Sequence, residues 1–456
     1  MRPSPAQPHA PRLRLPPRWA RKVVKLRHWI LMAVPIGLLT GLGVSVLETL
    51  CNRVLWWHIA ATAVPWRLLA PILGLSISGW ILARLNQRSI AMLNEVVLDY
   101  HHPPDAIQPR RDLMAMAATV STVGLGASLS LGGPSQWLGT RLACYLRHHL
   151  RRFHPMQGLS QRQVLMVGAA AGVAAYLRAP LTGTILAMET PFRRDLDATA
   201  FLPASLAALL AFWVHGLLVG SSCPLPFTNV GMGGWRALLG SAAIGLAAGV
   251  LSRCFQHGAL WARAATDPLP WQLRGPLGGV VVAATAWLAW CWFGDTWTLQ
   301  TGLPMARQMF AGHFHGWAPL VLLVLKLVAV CATLGTTGVA GVLVITLTVG
   351  TVLGAVLQPF LPFGLDLACA VAVCAYLAAN YNAPLTGVAL ALEWGGVALL
   401  HSVWPAVILA AWLGSGLANA PAKTRHARQR PPARPRPPQP PPPTADAYSH
   451  RPRSRS

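Results

Sequence analysis

The sequence predicts an all-α polytopic membrane protein. Three observations carry that prediction: long apolar segments, a scarcity of charge, and a repeat joining the two halves. Of 456 residues, 54% are hydrophobic and 11% charged, whereas a soluble domain carries about 25% charged residues. Residues 26–50, 68–85, 275–294 and 318–335 are each near the roughly 20 apolar residues that cross a bilayer as a helix. A dozen or so such segments are expected in all.

The elements follow in chain order. Residues 1–28 carry eight Lys or Arg and no acid, and no short apolar stretch leads to a cleavage site, so they read as a basic, Pro-rich cytoplasmic arm. Residues 29–420 form the transmembrane domain, in two repeats of roughly 29–225 and 235–420. Residues 421–456 hold nine Lys or Arg, eleven Pro and one acid, Asp446. That composition cannot bury a core and predicts a disordered Pro/Arg-rich cytoplasmic tail. Positive charge at both ends places both termini in the cytoplasm and implies an even number of crossings. The same basic ends suit contact with anionic lipid. No nucleic-acid role is expected, because the tail interleaves only one aromatic, Tyr448, with its charges. The eight cysteines are scattered, without CxxC or zinc spacing, and read as small buried hydrophobes. The cluster RHHLRRFH at 147–154 reads as a cytoplasmic loop, since its cations disfavour a divalent metal.

The stretch SLGGPSQWLG at 130–139 has the features of a helix start set within an apolar region. Pro134 suits the first turn and Ser135 can cap free amides. A second Gly-rich break, LGTTGVAGVLVI at 334–345, precedes another apolar run. Non-helical backbone at membrane depth survives only where protein buries it or water reaches it. Two helix starts facing each other would hold a small anion by amides and dipoles, a field weak enough to permit release. The competing reading is that the glycines simply allow close helix packing.

Residues 178–189, RAPLTGTILAME, match residues 382–393, NAPLTGVALALE, at eight of twelve positions and an offset of 204. Such duplicated halves in transporters are commonly inverted, with broken helices meeting near the midplane.

Taken together, the order and spacing of these motifs resemble the CLC family of chloride channels and chloride/proton exchangers, over about residues 30–420. The resemblance implies an inverted-repeat fold with many tilted and broken transmembrane helices. It also implies a homodimer with one anion pathway per subunit, bound chloride or a similar anion, and no other cofactor. The anion pathway falls on Ser130, Leu131, Gly132, Gly133 and Pro134, on Gly341, Val342 and Leu343, and on Ser89, or Arg88 by strict spacing.

Where the chain departs from the family, it loses acids. The family's gating Glu falls at Gly132, and its inner proton-accepting Glu at Thr190. The closest acid upstream of Gly132 is Asp112. The pore-lining Tyr has no match, its register falling near Lys423 or His426. Glu189 and Glu393 close the two repeats symmetrically and read as structural or vestibule-facing. Lys326 lies within an apolar run; it is either functional or held by helix-end carbonyls.

With only 13 acids in the chain and none on either transport position, the sequence favours passive chloride transport. Two alternatives stay open: an exchanger using an unplaced acid, and a degenerate, non-conducting membrane subunit. An enzyme is not expected, since no nucleophile–base set, metal cluster or phosphate loop appears. The Arg-, Pro-, Ala- and Trp-rich composition suggests a GC-rich bacterium and its inner membrane.

Overall fold

The computed structural model describes residues 17–102, 107–150, 160–192, 196–227 and 234–414. The terminal tail, His426, Lys423 and residues 151–154 of the histidine cluster lie outside the described residues. The first half begins with α1 (Pro17–Glu48), which runs on through a π-helical stretch, Thr49–Trp56, into the single turn α2 (Trp57–Ala60). It continues with α3 (Val64–Arg84), α4 (Met92–His101) and α5 (Pro109–Gly124). Helices α6 (Gly132–Leu150), α7 (Gln161–Leu177), α8 (Pro180–Glu189) and α9 (Phe201–Leu218) complete it. The second half holds α10 (Trp235–Thr266), α11 (Trp271–Phe293), α12 (Leu303–Phe310) and α13 (Ala318–Gly335). It ends with α14 (Leu343–Leu357), α15 (Leu365–Tyr381) and α16 (Pro384–Leu413), the last broken at Gly396 by φ +68°.

Among the described residues, eight helices rather than a dozen are long and apolar enough to cross a membrane. The difference has a geometric cause. Helix α8 has ten residues, and at 1.5 Å per residue it reaches about half of a ~30 Å hydrocarbon core. The apolar runs that suggested full spans are in part half-helices. The helix α1 also begins at Pro17, inside the segment assigned to the arm, though its apolar span begins only at Arg27.

The repeat keeps its offset where the shared motif falls. Helices α7 and α15 each have 17 residues, and 365 − 161 gives the sequence offset of 204. Both end in a left-handed residue, Arg178 at φ +55° and Asn382 at φ +51°. A Pro-led helix follows each. Asn tolerates that conformation readily; Arg does so less often and is held by its side chain, as described below. The two Pro-led helices lie antiparallel, because the last residue of each repeat motif touches the first turn of the other helix.

Small residues set the helix spacing. A Cβ on Gly139 or on Gly168 would run into the backbone of the other, so α6 and α7 touch main chain to main chain. The outer faces carry Leu73, Trp213, Leu239 and Val280, all more than half exposed. Large apolar side chains on the outside suit a lipid solvent. Cysteines obey the same rule. Cys51, Cys369 and Cys374 are buried, but Cys223, Cys254 and Cys291 are exposed, against the expectation of burial. In a membrane protein an apolar run does not separate the interior from the lipid face.

Two helix starts and a shared cavity

The starts of α6 and α14 meet. Ser130 and Gly341 exchange both backbone hydrogen bonds, at 2.8 and 2.9 Å, an isolated antiparallel bridge. A Cβ on Gly133 would lie 2.9 Å from the Gly341 Cα, and one on Gly132 would collide with the Leu343 side chain. Gly133 and Gly341 must be glycine because each one's backbone occupies the space of the other's side chain, whereas at Gly132 the Leu343 side chain takes that space. The Ser130 hydroxyl donates to the Gly341 carbonyl and accepts from the Val344 amide at 3.3 Å. The serine that caps is thus Ser130, and the helix it caps is α14. Ser135, the residue expected to cap α6, leaves its buried hydroxyl without a hydrogen-bond partner among the described residues. Its place after Pro134 puts it a turn into the helix.

The region above these starts is apolar. Leu131 and Leu343 are both 1% exposed, and the Leu343 side chain covers Gly132. The Tyr176 hydroxyl lies against the Leu131 backbone. Below them a cavity of about 420 Å³ opens, walled by Gly133, Gly341 and Val342, by Ser89–Asn94, by Tyr381 and by Arg263 and His257. Of the two candidates for the serine position, Ser89 lines the cavity. Arg88 does not; it is exposed and faces Asp267 at 3.9 Å. Ser130, Leu131, Gly132, Pro134 and Leu343 lie behind the wall rather than on it. Tyr381 and Arg263 were not singled out in the sequence. The signal for Tyr381 is its place just before the second Asn-Ala-Pro-Leu motif; Arg263, at the end of a long helix, carries none.

Lys326 is fully buried. Its ammonium donates to the Ser128 hydroxyl at 2.8 Å and to the carbonyls of Thr298 and Gln300 at 2.9 and 2.6 Å. All three ammonium donors are used, so the charge is spent on tying the loop before α12 to the strand of chain that enters α6. Of the readings the sequence left open, the carbonyl partners are those present.

A second buried group joins α1, α7 and α9. Glu48 accepts from Arg178 at 3.1 Å, and His215 Nε2 lies 3.1 Å from its other oxygen. Ser45 bridges to His215 Nδ1 at 3.0 Å. Arg178 also donates to the Gly220 carbonyl at 2.8 Å, which holds its left-handed backbone. Glu48 is the acid whose charge faces Tyr176.

Glu189 and Glu393 cap helices across the repeats. Glu393 accepts from the amides of Leu181 and Thr182, at 3.0 and 2.8 Å, and from the Thr182 hydroxyl. Glu189 accepts from Leu385 and Thr386 in the same way, at 3.0, 2.7 and 2.6 Å. Each carboxylate sits on a positive helix start of the opposite half. Thr190, next to Glu189, is buried and its hydroxyl donates to Leu186 of its own helix at 2.6 Å.

The helix α4, which carries the cavity residues Met92–Asn94, is anchored by a cluster of three acids and two arginines. Glu95 accepts from Trp137 at 2.9 Å, from Arg141 at 3.3 Å and from both terminal nitrogens of Arg111. Tyr145 donates to Asp112 at 2.8 Å. Asp99 faces Arg141 at 3.1 Å but without hydrogen-bond geometry. Burial above all, with Glu95 and Asp112 adding to it against Arg141 and Arg111, pushes the Asp99 carboxyl up to about 6 from 3.8. The folded protein then binds this proton more tightly than the unfolded chain, so stability falls as pH rises from about 4 to 6. We expect the thermal midpoint in detergent to drop over that range, and Asp99→Asn to flatten the drop. Equal slopes in the two proteins would show that Asp99 does not titrate there.

Comparison with known proteins places this geometry. A sequence model of the voltage-gated chloride channels matches residues 73–415. A ClcB-like chloride channel protein of Ralstonia nicotianae is 27% identical over 372 residues, covering 75% of this chain and 83% of that protein. The crystal structure of a CLC-type fluoride/proton antiporter superposes with a TM-score of 0.74 at 20% identity, covering 86% of this chain and 97% of that one. A slow cyanobacterial Cl⁻/H⁺ antiporter superposes at 0.71 and 18% identity, covering 85% and 94%.

Proposed function

The chain belongs to the voltage-gated chloride channel family, and on that premise we propose that it passes chloride or a similar small anion through the membrane as an uncoupled conduit. The observation that carries this reading is the pair Gly132 and Leu343. The family resemblance puts a proton-carrying glutamate at Gly132, and the space its side chain would need is filled by Leu343. The second transport acid falls on Thr190, whose hydroxyl is bonded within its own helix. Coupled exchange needs a carboxyl that takes up a proton and swings into the anion's place, and neither position supplies one.

The pathway runs through the cavity at Ser89, Gly133, Gly341 and Val342 and continues past Gly132 and Leu343. With the basic N-terminus in the cytoplasm, α1 crosses outward and α3 returns, which sets Ser89 and the cavity mouth on the cytoplasmic side. The chain acts as a homodimer in a bacterial inner membrane, its basic ends against anionic lipid. Chloride is the anion its ClcB-like relative is described as conducting; fluoride, named for one structural neighbour, is the first competitor to test.

A second reading rests on Glu48. Its charge faces Tyr176, and Tyr176 touches Leu131 beside the lost acid. A proton held there would couple transport by another route. The test is anion efflux from proteoliposomes with proton movement recorded at the same time. Efflux that needs valinomycin to relieve the voltage, with no proton movement, is expected. Coupled protons abolished by Glu48→Gln would establish the second reading. Silence from folded protein would mark a degenerate subunit, for which the apolar cover on Gly132 would then be the cause.

A further inference from the structure

We infer that Arg263 forms an anion-capture site at the mouth of the cavity, binding small monovalent anions electrostatically before they reach the helix starts. The inference rests on the conduit reading for its purpose but not for its measurement. Three features carry it. Arg263 and Ser89 close one side of the cavity together, the guanidinium donating to the Ser89 hydroxyl at 2.9 Å. That bond uses one of five guanidinium donors and leaves the charge uncompensated. Among the described residues, no carboxylate lies within ion-pair distance of Arg263, whereas Arg88 beside it is matched by Asp267. The neighbouring carboxylate is therefore already engaged, and the free charge is the one facing the cavity.

The rest of the lining agrees with an anion. No acid lines the cavity among the described residues. Its far end is the backbone of Gly133, Gly341 and Val342, where α6 and α14 begin. A concave site of one charge sign with apolar walls raises the local concentration of the opposite ion. Arg263 is exposed, so water screens it and the ion can leave. This is a site that fills and empties quickly rather than a trap. Helix dipoles fade within a turn; a full charge reaches about 10 Å at 0.1 M salt, so Arg263 gathers ions that the helix starts cannot yet attract.

The test measures bromide binding to the whole protein in detergent by titration calorimetry at low ionic strength. Wild type is compared with Arg263→Gln, Arg263→Lys and, as a charge control on the same helix, Arg236→Gln. Arg263→Gln is expected to weaken binding about tenfold, Arg263→Lys to restore it, and Arg236→Gln to match wild type. The difference should shrink when an impermeant salt is added. Arg263→Gln binding bromide as tightly as wild type would overturn the proposal. Loss in Arg236→Gln of the same size would overturn it too, since net charge alone would then suffice. Flux separates this site from the conduit: Arg263-dependent binding without flux removes the conduit reading alone, and flux with Arg263-independent binding removes the site alone.

Discussion

Leu343→Ala will raise chloride efflux from proteoliposomes by tenfold or more, still without proton movement. The cavity reaches Gly133, Gly341 and Val342 and stops. Beyond it an ion meets the Leu343 side chain packed over Gly132, with Leu131 beside it, both leucines 1% exposed. An apolar constriction gates by excluding water, and the ion must shed its hydration to enter. Truncation to alanine opens the space over a backbone glycine that carries no side chain of its own. A barrier lowered by about 1.4 kcal/mol is enough for the tenfold gain. The same change removes buried methyls and costs about 2–5 kcal/mol of stability, so the fold must be verified by the thermal midpoint before flux is compared. Leu343→Met keeps the volume and is expected to conduct like wild type. Unchanged flux in a folded Leu343→Ala protein would move the barrier elsewhere along the path.

The largest stability loss is expected from the two capping glutamates. Glu393→Ala strands the amides of Leu181 and Thr182 and the Thr182 hydroxyl; Glu189→Ala strands the matching set on Leu385 and Thr386. These bonds join a carboxylate to helix-start amides, with Glu189 buried and Glu393 half-buried. Leaving a buried donor without its acceptor costs about 1–3 kcal/mol. Each single variant should therefore lose several degrees in thermal midpoint. The double variant should depart from additivity, because both carboxylates hold one antiparallel helix pair. Glutamine keeps one acceptor oxygen and should lose less than alanine. A midpoint untouched in both alanine variants would refute the capping role and return these acids to the pathway.

Much of this fold could be read from the chain because the repeat is strict. The shared Ala-Pro-Leu-Thr-Gly motif located α7–α8 and α15–α16 at the observed offset, and the Gly-rich breaks located the two helix starts. Periodicity could not separate a half-helix such as α8 from a span, since both are largely apolar, and the span count came out too high. At the site, the sequence is legible where the cause is local: Gly133 and Gly341 meet because only glycine lets those backbones touch. They failed where the partner is distant in sequence. Nothing near Ser130 announces that its hydroxyl will cap a helix 214 residues away. Nothing near Arg263 or Tyr381 announces the cavity, and Arg88, in the better register, turned outward to Asp267. The pairing of Glu48 with His215 joins residues from two helices with no motif in common.

The crossed glutamates also bear on how the chain is made. Leu181 and Glu393 are 212 residues apart, and at about 5–20 residues per second a ribosome needs about 10–40 seconds to cover that distance. For that interval the first turn of α8 is synthesised but lacks its carboxylate, at a depth where free amides are costly. Until the second half arrives, the chain itself offers these amides no carboxylate. The same dependence makes the two halves complementary fragments: produced as separate polypeptides, each carries the residue the other needs.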